Sequence, residues 1–468
     1  MRVKHAAKVS VLALALAGPA LAESQSDEAP ATIWTQDRLL GENGGMPKAL
    51  SDLGLSYGLQ DINEVWSNAS GGRRQIQTYN GLTMFSVGLD TKAAFGWEGG
   101  TFNVSAFQIR GRSLATDATS ALQTNTGINA LGTTRFWEIW FQQLFAGGAA
   151  DIKLGQVSLD TEFMTSQGSS LFLNTMMGWS MYPSANLYAG GPAYPLSSLG
   201  VRLRYRANDN VTILGGVFAD NPPGGPFNAD GQLLGSSRWG GNFNLRTGAL
   251  AIGEIQYAFN QPTVGEDGKP KPAEGLPGTY KLGFWYDSGT FFSQRTDSAG
   301  IPLASPYSNG DPRRQGGNWS LYGVADQAIW RPAQDGAQML SLFVRAMGGP
   351  GDRNLISFSL NGGITLKDPL AMPERENDTL GVGLGIARLS GGAIGYDQDV
   401  NHFGGNIPVR STETFVELTY QFAIAPWWQI QPDFQYVFSP GGGIVNPNNP
   451  PRRIGNEAIF GILSTITF

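Results

Sequence analysis

Polar and apolar side chains alternate with a period of two along most of the chain after residue 55, and this alternation constrains the fold more than any other feature. Such a pattern is typical of a β-strand with one apolar and one polar face. In the segment 201–206, Val201, Leu203 and Tyr205 fall on one face and three arginines fall on the other. The same alternation recurs, with turn-forming clusters between the strands, in segments 280–287, 356–361, 416–422 and 427–438.

The sequence offers little material to cover the apolar faces of these strands. Helical periodicity is limited to the stretch from Met46 to Leu53, whereas a water-soluble sheet needs a second sheet or helices over its apolar face. A transmembrane barrel needs no such layer, because lipid contacts its apolar face and water its polar face. The low share of charged residues, 15%, agrees with this arrangement. The sequence therefore predicts an all-β protein, a transmembrane antiparallel β-barrel at residues 55–468.

The first 22 residues carry the three parts of a secretory signal peptide. A basic start is followed by an apolar run at 9–17 and by Ala20 and Ala22 before the cleavage site. This apolar run is shorter than the roughly 20 residues that a spanning helix needs. We therefore predict a cleaved signal peptide at 1–22, a periplasmic segment with a short helix at 23–54, and a barrel surrounded by the lipids of the bacterial outer membrane.

The C-terminus has the form of a last barrel strand. Residues 458–468 alternate and end in Phe468, and outer-membrane barrels commonly end in an aromatic residue that the assembly machinery reads. Trp427 and Trp428 begin the preceding strand, as expected of an aromatic girdle at a membrane interface. We predict that the barrel-assembly machinery is a partner that recognises the strand ending in Phe468.

The composition excludes several classes of chemistry. The chain has no cysteine, so disulfide scaffolds, thiolate metal sites and cysteine nucleophiles are excluded. His402 is the one histidine left after removal of the signal peptide, which excludes metal sites built from several histidines. A net charge of −6 argues against nucleic-acid binding. We predict a protein without cofactor or catalytic activity.

Six segments, in the same order along the chain, resemble the OprB-type carbohydrate-selective porins. The resemblance implies a 16-stranded outer-membrane barrel that admits sugars such as glucose by passive diffusion. The alternation of side chains predicts the barrel by itself, whereas the expectation that the solute is a sugar rests on the resemblance. The segments are 134–140 (TRFWEIW), 155–163 (GQVSLDTEF), 190–195 (GGPAYP), 276–283 (LPGTYKLG), 352–355 (DRNL) and 425–433 (APWWQIQPD).

One connection is long enough to act on the sugar path. The stretch 159–198 exceeds the length of a hairpin turn, and loops longer than about 15 residues are usually functional or disordered. We expect it either to fold into the lumen as a constriction loop or to lie over the barrel mouth. Its polar and aromatic side chains suit sugar hydroxyls and the flat C–H face of a sugar ring, and the candidates are Asp160, Glu162, Asn174 and Trp179.

The barrel wall supplies further candidate sugar-binding residues. Rows of opposite charge across a lumen create a transverse field that a polar, uncharged solute can cross by exchanging hydrogen bonds. For any single lumenal charge, the simpler interpretation is a wall residue paired with a neighbour. The rows are Glu138, Trp140 and Gln142 on one strand and Arg202 and Arg204 on another, with Trp285, Asp287 and Arg345 on further strands.

One strand and several alternatives remain open. Arg110 falls on the same face as Phe102 and Val104, so the lumenal side of this strand is ambiguous. An enzymatic barrel would have to use His402, a soluble lectin would not stay in the membrane, and the arginine row would also suit a general or anion-selective porin. Both a monomer and a homotrimer are compatible with the sequence.

Overall fold

The computed structural model describes residues 32–41, 45–227, 238–264, 270–271, 273–333, 336–450 and 452–468. The predicted signal peptide at 1–22 lies outside these residues. Within them, sixteen strands form one closed barrel and two short strands form a separate hairpin. The barrel strands are β1 (Leu55–Ser70), β2 (Gln77–Asp90), β3 (Gly100–Gly111), β4 (Thr133–Phe145), β5 (Ala150–Val157), β6 (Ser198–Arg206), β7 (Val211–Ala219), β8 (Ala249–Phe259), β11 (Gly278–Asp297), β12 (Pro312–Trp330), β13 (Met339–Gly348), β14 (Ile356–Lys367), β15 (Thr379–Leu389), β16 (Thr412–Ala425), β17 (Trp428–Phe438) and β18 (Glu457–Thr467), and the hairpin strands are β9 (Thr263–Val264) and β10 (Pro270–Lys271).

Each barrel strand pairs antiparallel with its neighbour along the chain, β8 pairs with β11 across the hairpin, and β18 pairs with β1 to close the barrel. In the closing pair, Gln60 lies opposite Thr467 and Val65 lies opposite Ile462. The prediction of an all-β antiparallel barrel is confirmed, and so is the number of strands that the family resemblance implied.

Residues that alternate between apolar and polar in the sequence alternate between the outer surface and the interior of the barrel. On β6, Val201, Leu203 and Tyr205 are exposed on the outer surface, whereas Arg202 is buried inside. Strand β16 repeats the pattern, with Val416 and Leu418 outside and Glu417 inside. An apolar outer surface is the face that such a barrel presents to lipid.

Seven short helices accompany the strands, and none of those within the described ranges is long and apolar enough to cross a membrane. Helix α6 differs from the sequence-based expectation, because its glycines and scattered polar residues gave no helical periodicity. Two ion pairs fix it instead, Asp399 with Arg295 of β11 and Asp397 with Arg410. The helices are α1 (Lys48–Asp52), α2 (Thr91–Phe95), α3 (Leu114–Asp117), α4 (Thr175–Gly178), α5 (Met181–Asn186), α6 (Gly391–His402) and α7 (Pro440–Gly443).

The two ends of the barrel differ in the length of their connections. The end that holds α1 and the C-terminus has mostly short turns, such as 146–149 and 207–210. The opposite end has much longer connections, among them 112–132, 158–197 and 390–411. In outer-membrane barrels the short turns are periplasmic and the long loops extracellular, and this assigns the two ends here.

Arg110, whose face the sequence left open, points outward. It donates hydrogen bonds to Asp61 (2.8 Å), Asn63 (2.9 Å), Thr83 (2.7 Å) and the Tyr79 hydroxyl (3.1 Å). We call these five residues the outer polar cluster. Its neighbours on the same outer face of β1 to β3 are exposed apolar residues, namely Val65, Phe85, Phe102 and Val104.

Candidate functional site

Four charged side chains on the inner wall and one on the loop between β5 and β6 form one ion-pair network, which we call the wall network: Asp151, Lys153, Arg202 and Arg204 on the wall and Glu162 on the loop. Strand register brings its members together, since Lys153 of β5 lies opposite Arg202 of β6 and Asp151 lies opposite Arg204. Arg204 Nε is 2.6 Å from an Asp151 oxygen, and Arg202 Nε is 2.9 Å from a Glu162 oxygen. Arg202 also pairs with Asp151, and Lys153 pairs with Glu162.

Burial divides the wall network into hidden and accessible members. The Arg204 side chain is 44% exposed, whereas those of Arg202 and Asp151 are almost fully buried. Glu162 lies on the loop between β5 and β6, outside the spanning strands. Burial alone would raise the pKa of this carboxyl, but Lys153 and Arg202 hold it at about 2. The arginine row is therefore compensated by carboxylates, and Arg204 is its member most accessible to a solute.

The predicted row on β4, Glu138, Trp140 and Gln142, lies beside the wall network. Most of its side chains contact other residues of the protein. Trp140 stacks under Lys153, whose Nζ lies 4.2 Å from the ring centroid. Glu138 accepts a hydrogen bond from the Ser158 backbone N–H at 2.9 Å. Gln142 lies opposite Lys153 and is only partly buried. Of this row, Gln142 retains the most access to a solute.

Two loops, 112–132 and 158–197, meet inside the barrel. Their shared cavity measures about 80 Å³, and its lining includes Thr126, Asp160, Trp179 and Tyr194. Asp160 accepts the Tyr194 backbone N–H at 3.0 Å, and Trp179 Nε1 donates to the Gly190 carbonyl at 2.8 Å. The indole is thereby fixed, and the Tyr194 hydroxyl donates to the Ile128 carbonyl at 2.9 Å, so both rings are held at a cavity that a carboxylate and a hydroxyl also line.

Loop 158–197 is hydrogen-bonded to strands far from β5 and β6, the two strands that it connects. Its backbone N–H groups reach carboxylates on opposite walls, from Met164 to Glu254 (2.8 Å) and from Leu173 to Glu417 (2.6 Å). Asn186 bonds to β14 through both the N–H and the carbonyl of Ile356. These contacts tie the loop to β8, β14 and β16.

Two predicted sugar-binding residues serve this anchoring. Arg345 is fully buried and donates hydrogen bonds to four loop carbonyls, those of Met164, Met176, Met177 and Gly178, at 2.6–3.0 Å. Asn174 donates to the Gln435 side chain at 3.0 Å and accepts from the Met176 backbone N–H. Both residues line the cavity, but the loop occupies much of their hydrogen-bonding capacity.

Trp285 and Asp287 on β11 lie apart from this cavity. The Trp285 ring packs against Tyr182 of the loop, with ring centroids 6.0 Å apart. Asp287 accepts the Gly289 backbone N–H at 2.8 Å. That these two residues bind sugar stays a prediction, as it does for the other ten.

Sequence reasoning missed Arg135, a buried arginine on the inner face of β4. Its Nε and Nη1 have no hydrogen-bond partner among the described residues. A β-bulge hid its orientation. Between Val104 and Ala106 strand β3 advances by two residues, whereas its partner β4 advances by three, from Ile139 to Phe136. Strict alternation would place Arg135 on the face opposite Glu138, whereas the bulge turns both inward. The sequence signal was a charged residue directly before two aromatic residues, Phe136 and Trp137.

His402, the residue on which an enzymatic barrel would depend, ends α6 and packs against Phe403. The described residues contain no group of three or more histidines and carboxylates placed to hold a metal ion.

Comparison with known proteins gives one family. A family model described as "Carbohydrate-selective porin, OprB family" matches residues 74–468. Porin B of Pseudomonas aeruginosa is 24% identical over 431 residues, covering 86% of this chain and 87% of that protein. The fold is similar to the high-pH structure of Pseudomonas putida OprB, with a TM-score of 0.79, 22% identity, and coverage of 94% of this chain and 100% of that one. The low-pH structure of the same porin has a TM-score of 0.54, 16% identity, and coverage of 93% and 99%.

Proposed function

The chain belongs to the OprB family of carbohydrate-selective porins and is an outer-membrane channel for passive diffusion of sugars, and we propose that its preferred solutes are small neutral sugars such as glucose. The supporting observation is the cavity where the two inward loops meet. There the rings of Trp179 and Tyr194 lie beside the carboxylate of Asp160 and the hydroxyl of Thr126. Aromatic faces accept the C–H face of a sugar, and the oxygen atoms accept its hydroxyl protons.

Loop 158–197, predicted from sequence as 159–198, is in this proposal the constriction of the pore. Its hydrogen bonds to β8, β14 and β16 support a fixed position, because a loop tied at several walls cannot swing out without breaking them all. Arg345 and Asn174 act as positioning residues that hold the loop. The sugar then meets a narrow passage of constant width.

The wall network makes this passage suited to neutral solutes. Two carboxylates compensate three basic groups, so the row that suggested an anion-selective porin carries little excess charge. Arg204 remains partly exposed, and Arg135 has donors without a partner among the described residues. In the proposal the Arg204 guanidinium, which is the accessible one of the two, donates to passing sugar hydroxyls.

Liposome swelling tests the function. Glucose should enter liposomes containing the purified protein several-fold faster than amino acids of similar size, and disaccharides should enter more slowly. Trp179→Ala and Arg204→Gln should each weaken glucose block of the ion current by roughly three- to tenfold without abolishing conductance. Lys92→Gln, at the periplasmic turn, is the control. Equal rates for sugars and amino acids would leave a general porin, and unchanged sugar block in both variants would move the binding site elsewhere.

Export and assembly complete the proposal. We infer that residues 1–22 are a cleaved signal peptide, with a periplasmic segment at 23–54, and that the barrel-assembly machinery recognises the strand ending in Phe468. A homotrimer stays a prediction. The feature that favours association is the outer polar cluster, because charged groups are unfavourable in contact with lipid and a second copy could cover them. Chemical cross-linking in intact membranes would show whether copies associate.

A further inference from the structure

A cleft of about 760 Å³ opens at the extracellular end of the barrel. It lies between the ends of β11 and β12, the connection 349–355 and the first turn of α6. Four arginines contribute to its lining, together with one carboxylate: Arg295, Arg313, Arg314, Arg353 and Asp352. Its volume falls in the range typical of small-molecule sites.

Two of the four guanidinium groups are uncompensated. Arg353 pairs with Asp352 (3.0 Å), and Arg295 pairs with Asp399 of α6 (2.7 Å). Arg313 and Arg314 are exposed, and their side chains have no ion pair or hydrogen bond with any described residue. The positive end of the twelve-residue helix α6 faces the same cleft through Gly391 and Gly392. The cleft therefore has an excess of positive charge.

This excess contrasts with the rest of the molecule. The chain has 38 acidic and 32 basic residues, and the wall network inside the barrel is nearly balanced. Free guanidinium groups at the entrance are not needed for a neutral sugar, whose hydroxyls are served equally well by amides. They suit a carboxylate or phosphate, which a guanidinium binds through two parallel hydrogen bonds.

The cleft is in contact with water beyond the lipid. Arg313 and Arg314 lie six and five residues beyond Trp319, the exposed aromatic residue on the outer face of β12. At about 3.3 Å per residue, this places them roughly 17–20 Å further along the strand. A soluble solute reaches this position before it reaches the lumen.

We propose that this cleft binds small anionic sugars, such as monosaccharides that carry a carboxylate or a phosphate, and concentrates them at the channel entrance. The proposal rests on the proposed function in one respect, since it takes passage of sugars as given. It extends the substrate class from neutral sugars to sugar acids and sugar phosphates.

Calorimetric titration of the refolded protein, free of lipopolysaccharide, tests the proposal with glucuronate, glucose 6-phosphate and glucose. We expect the two anionic sugars to bind, and the double variant Arg313→Gln/Arg314→Gln to weaken their binding by at least about tenfold. Arg313→Lys/Arg314→Lys keeps the charge and should recover part of the affinity. Lys48→Gln/Lys92→Gln removes two charges at the periplasmic end and should change nothing.

Three results would overturn the proposal: anionic sugars bind the Gln variant as well as the wild type, equimolar chloride displaces them, or only lipopolysaccharide binds. Glucose entry into liposomes should stay within about twofold of wild type in the Gln variant. Failure of glucose entry in the wild type would overturn the proposed function and leave the cleft unaffected, so the two failures are distinguishable.

Discussion

Individual carboxylates on the inner wall act as anchors for backbone N–H groups of the loops. Glu413 accepts the N–H groups of Leu122 and Gln123 at 2.8 and 2.7 Å, and Glu417 accepts that of Leu173 at 2.6 Å. These hydrogen bonds satisfy carboxyl oxygens and backbone N–H groups that are buried away from water, where an unpaired polar group would be costly. Strand alternation predicts that such residues point inward. It cannot predict their partners, because every residue type except proline carries a backbone N–H.

The outer polar cluster is a case where one residue determines the environment of another. Without Asp61, the Arg110 guanidinium loses its counter-ion on the surface that faces lipid. Asp61→Ala should lower the free energy of unfolding by about 1–4 kcal/mol, because a basic residue on the lipid-facing surface costs about 2–4 kcal/mol at the bilayer midplane and about 0–1 kcal/mol near the interfaces. In the double variant Asp61→Ala/Arg110→Met, the free energy of unfolding should fall by less than in Asp61→Ala alone, because no charge is left unpaired.

Equilibrium unfolding in lipid vesicles, followed by tryptophan fluorescence, measures these changes. Asp117→Ala is the matched control, since its partner Arg112 is mostly exposed in an extracellular connection. An exposed pair should contribute less than about 1 kcal/mol. The interpretation would be wrong if the double variant lost as much free energy of unfolding as the single variants Asp61→Ala and Arg110→Met lose in sum.

At the scale of elements, the strands were predictable and the loops and α6 were not. Segments such as 201–206 and 416–422 became strands with the expected faces, because lipid on one side and water or polar loops on the other impose the period of two. Helix α6 contains Gly391, Gly392 and Gly395, which oppose helix formation, and its ion pairs come from distant residues. The bulge in β4 likewise depends on its neighbour β3.

Loop 158–197 should loosen when its central anchor is removed. Arg345→Met leaves four loop carbonyls without their donor, and each unsatisfied group costs about 1–3 kcal/mol. We expect a larger single-channel conductance and faster entry of disaccharides into liposomes. Arg331→Met is the control, because Arg331 donates to the carbonyls of Ala273 and Gly275 at the periplasmic end. An unchanged conductance in Arg345→Met would show that the loop is held without it.

Helix α6 should respond to acid through its ion pair with β11. The side-chain hydrogen bonds from Arg295 hold the pKa of the Asp399 carboxyl below its usual value of 3.8. Because the pKa is lowered in the folded protein, the pair stabilises α6 above about pH 4, and the stabilisation is lost as the pH falls through that lowered pKa. Asp399→Asn should reproduce the loss at neutral pH.

A spin label at His402→Cys would report this change, since the chain has no other cysteine and the label also removes the neighbouring titratable imidazole. Label mobility should be low at pH 5 and should rise as the pH falls below about 4, where the Asp399 carboxyl becomes protonated. In the Asp399→Asn background it should be high at every pH. Equal mobility in both proteins at pH 7 would rule out a role for the pair.

For the whole molecule, closure of the barrel depends on the last strand. Strand β18 pairs with β17 on one side and β1 on the other, and the Phe468 backbone N–H donates to the Leu59 carbonyl at 2.9 Å. This bond does not use the aromatic ring. Barrel closure therefore does not require the Phe468 ring. Outer-membrane barrels commonly carry an aromatic residue at this position, so the ring is suited to recognition by another protein.

Phe468→Ala should therefore lower the amount of assembled protein in cells while leaving the stability of the folded barrel almost unchanged. In cells, the amount of folded, heat-modifiable protein in the outer membrane should fall several-fold, because the assembly machinery loses its contact. The free energy of unfolding of the variant refolded in detergent should be within about 1 kcal/mol of wild type, because the backbone bond remains and the Phe468 side chain is only partly buried. Phe460→Ala is the matched control: it removes an exposed aromatic ring from the same face of β18. Equal loss of assembled protein in both variants would point to general destabilisation of the strand instead of recognition of its end.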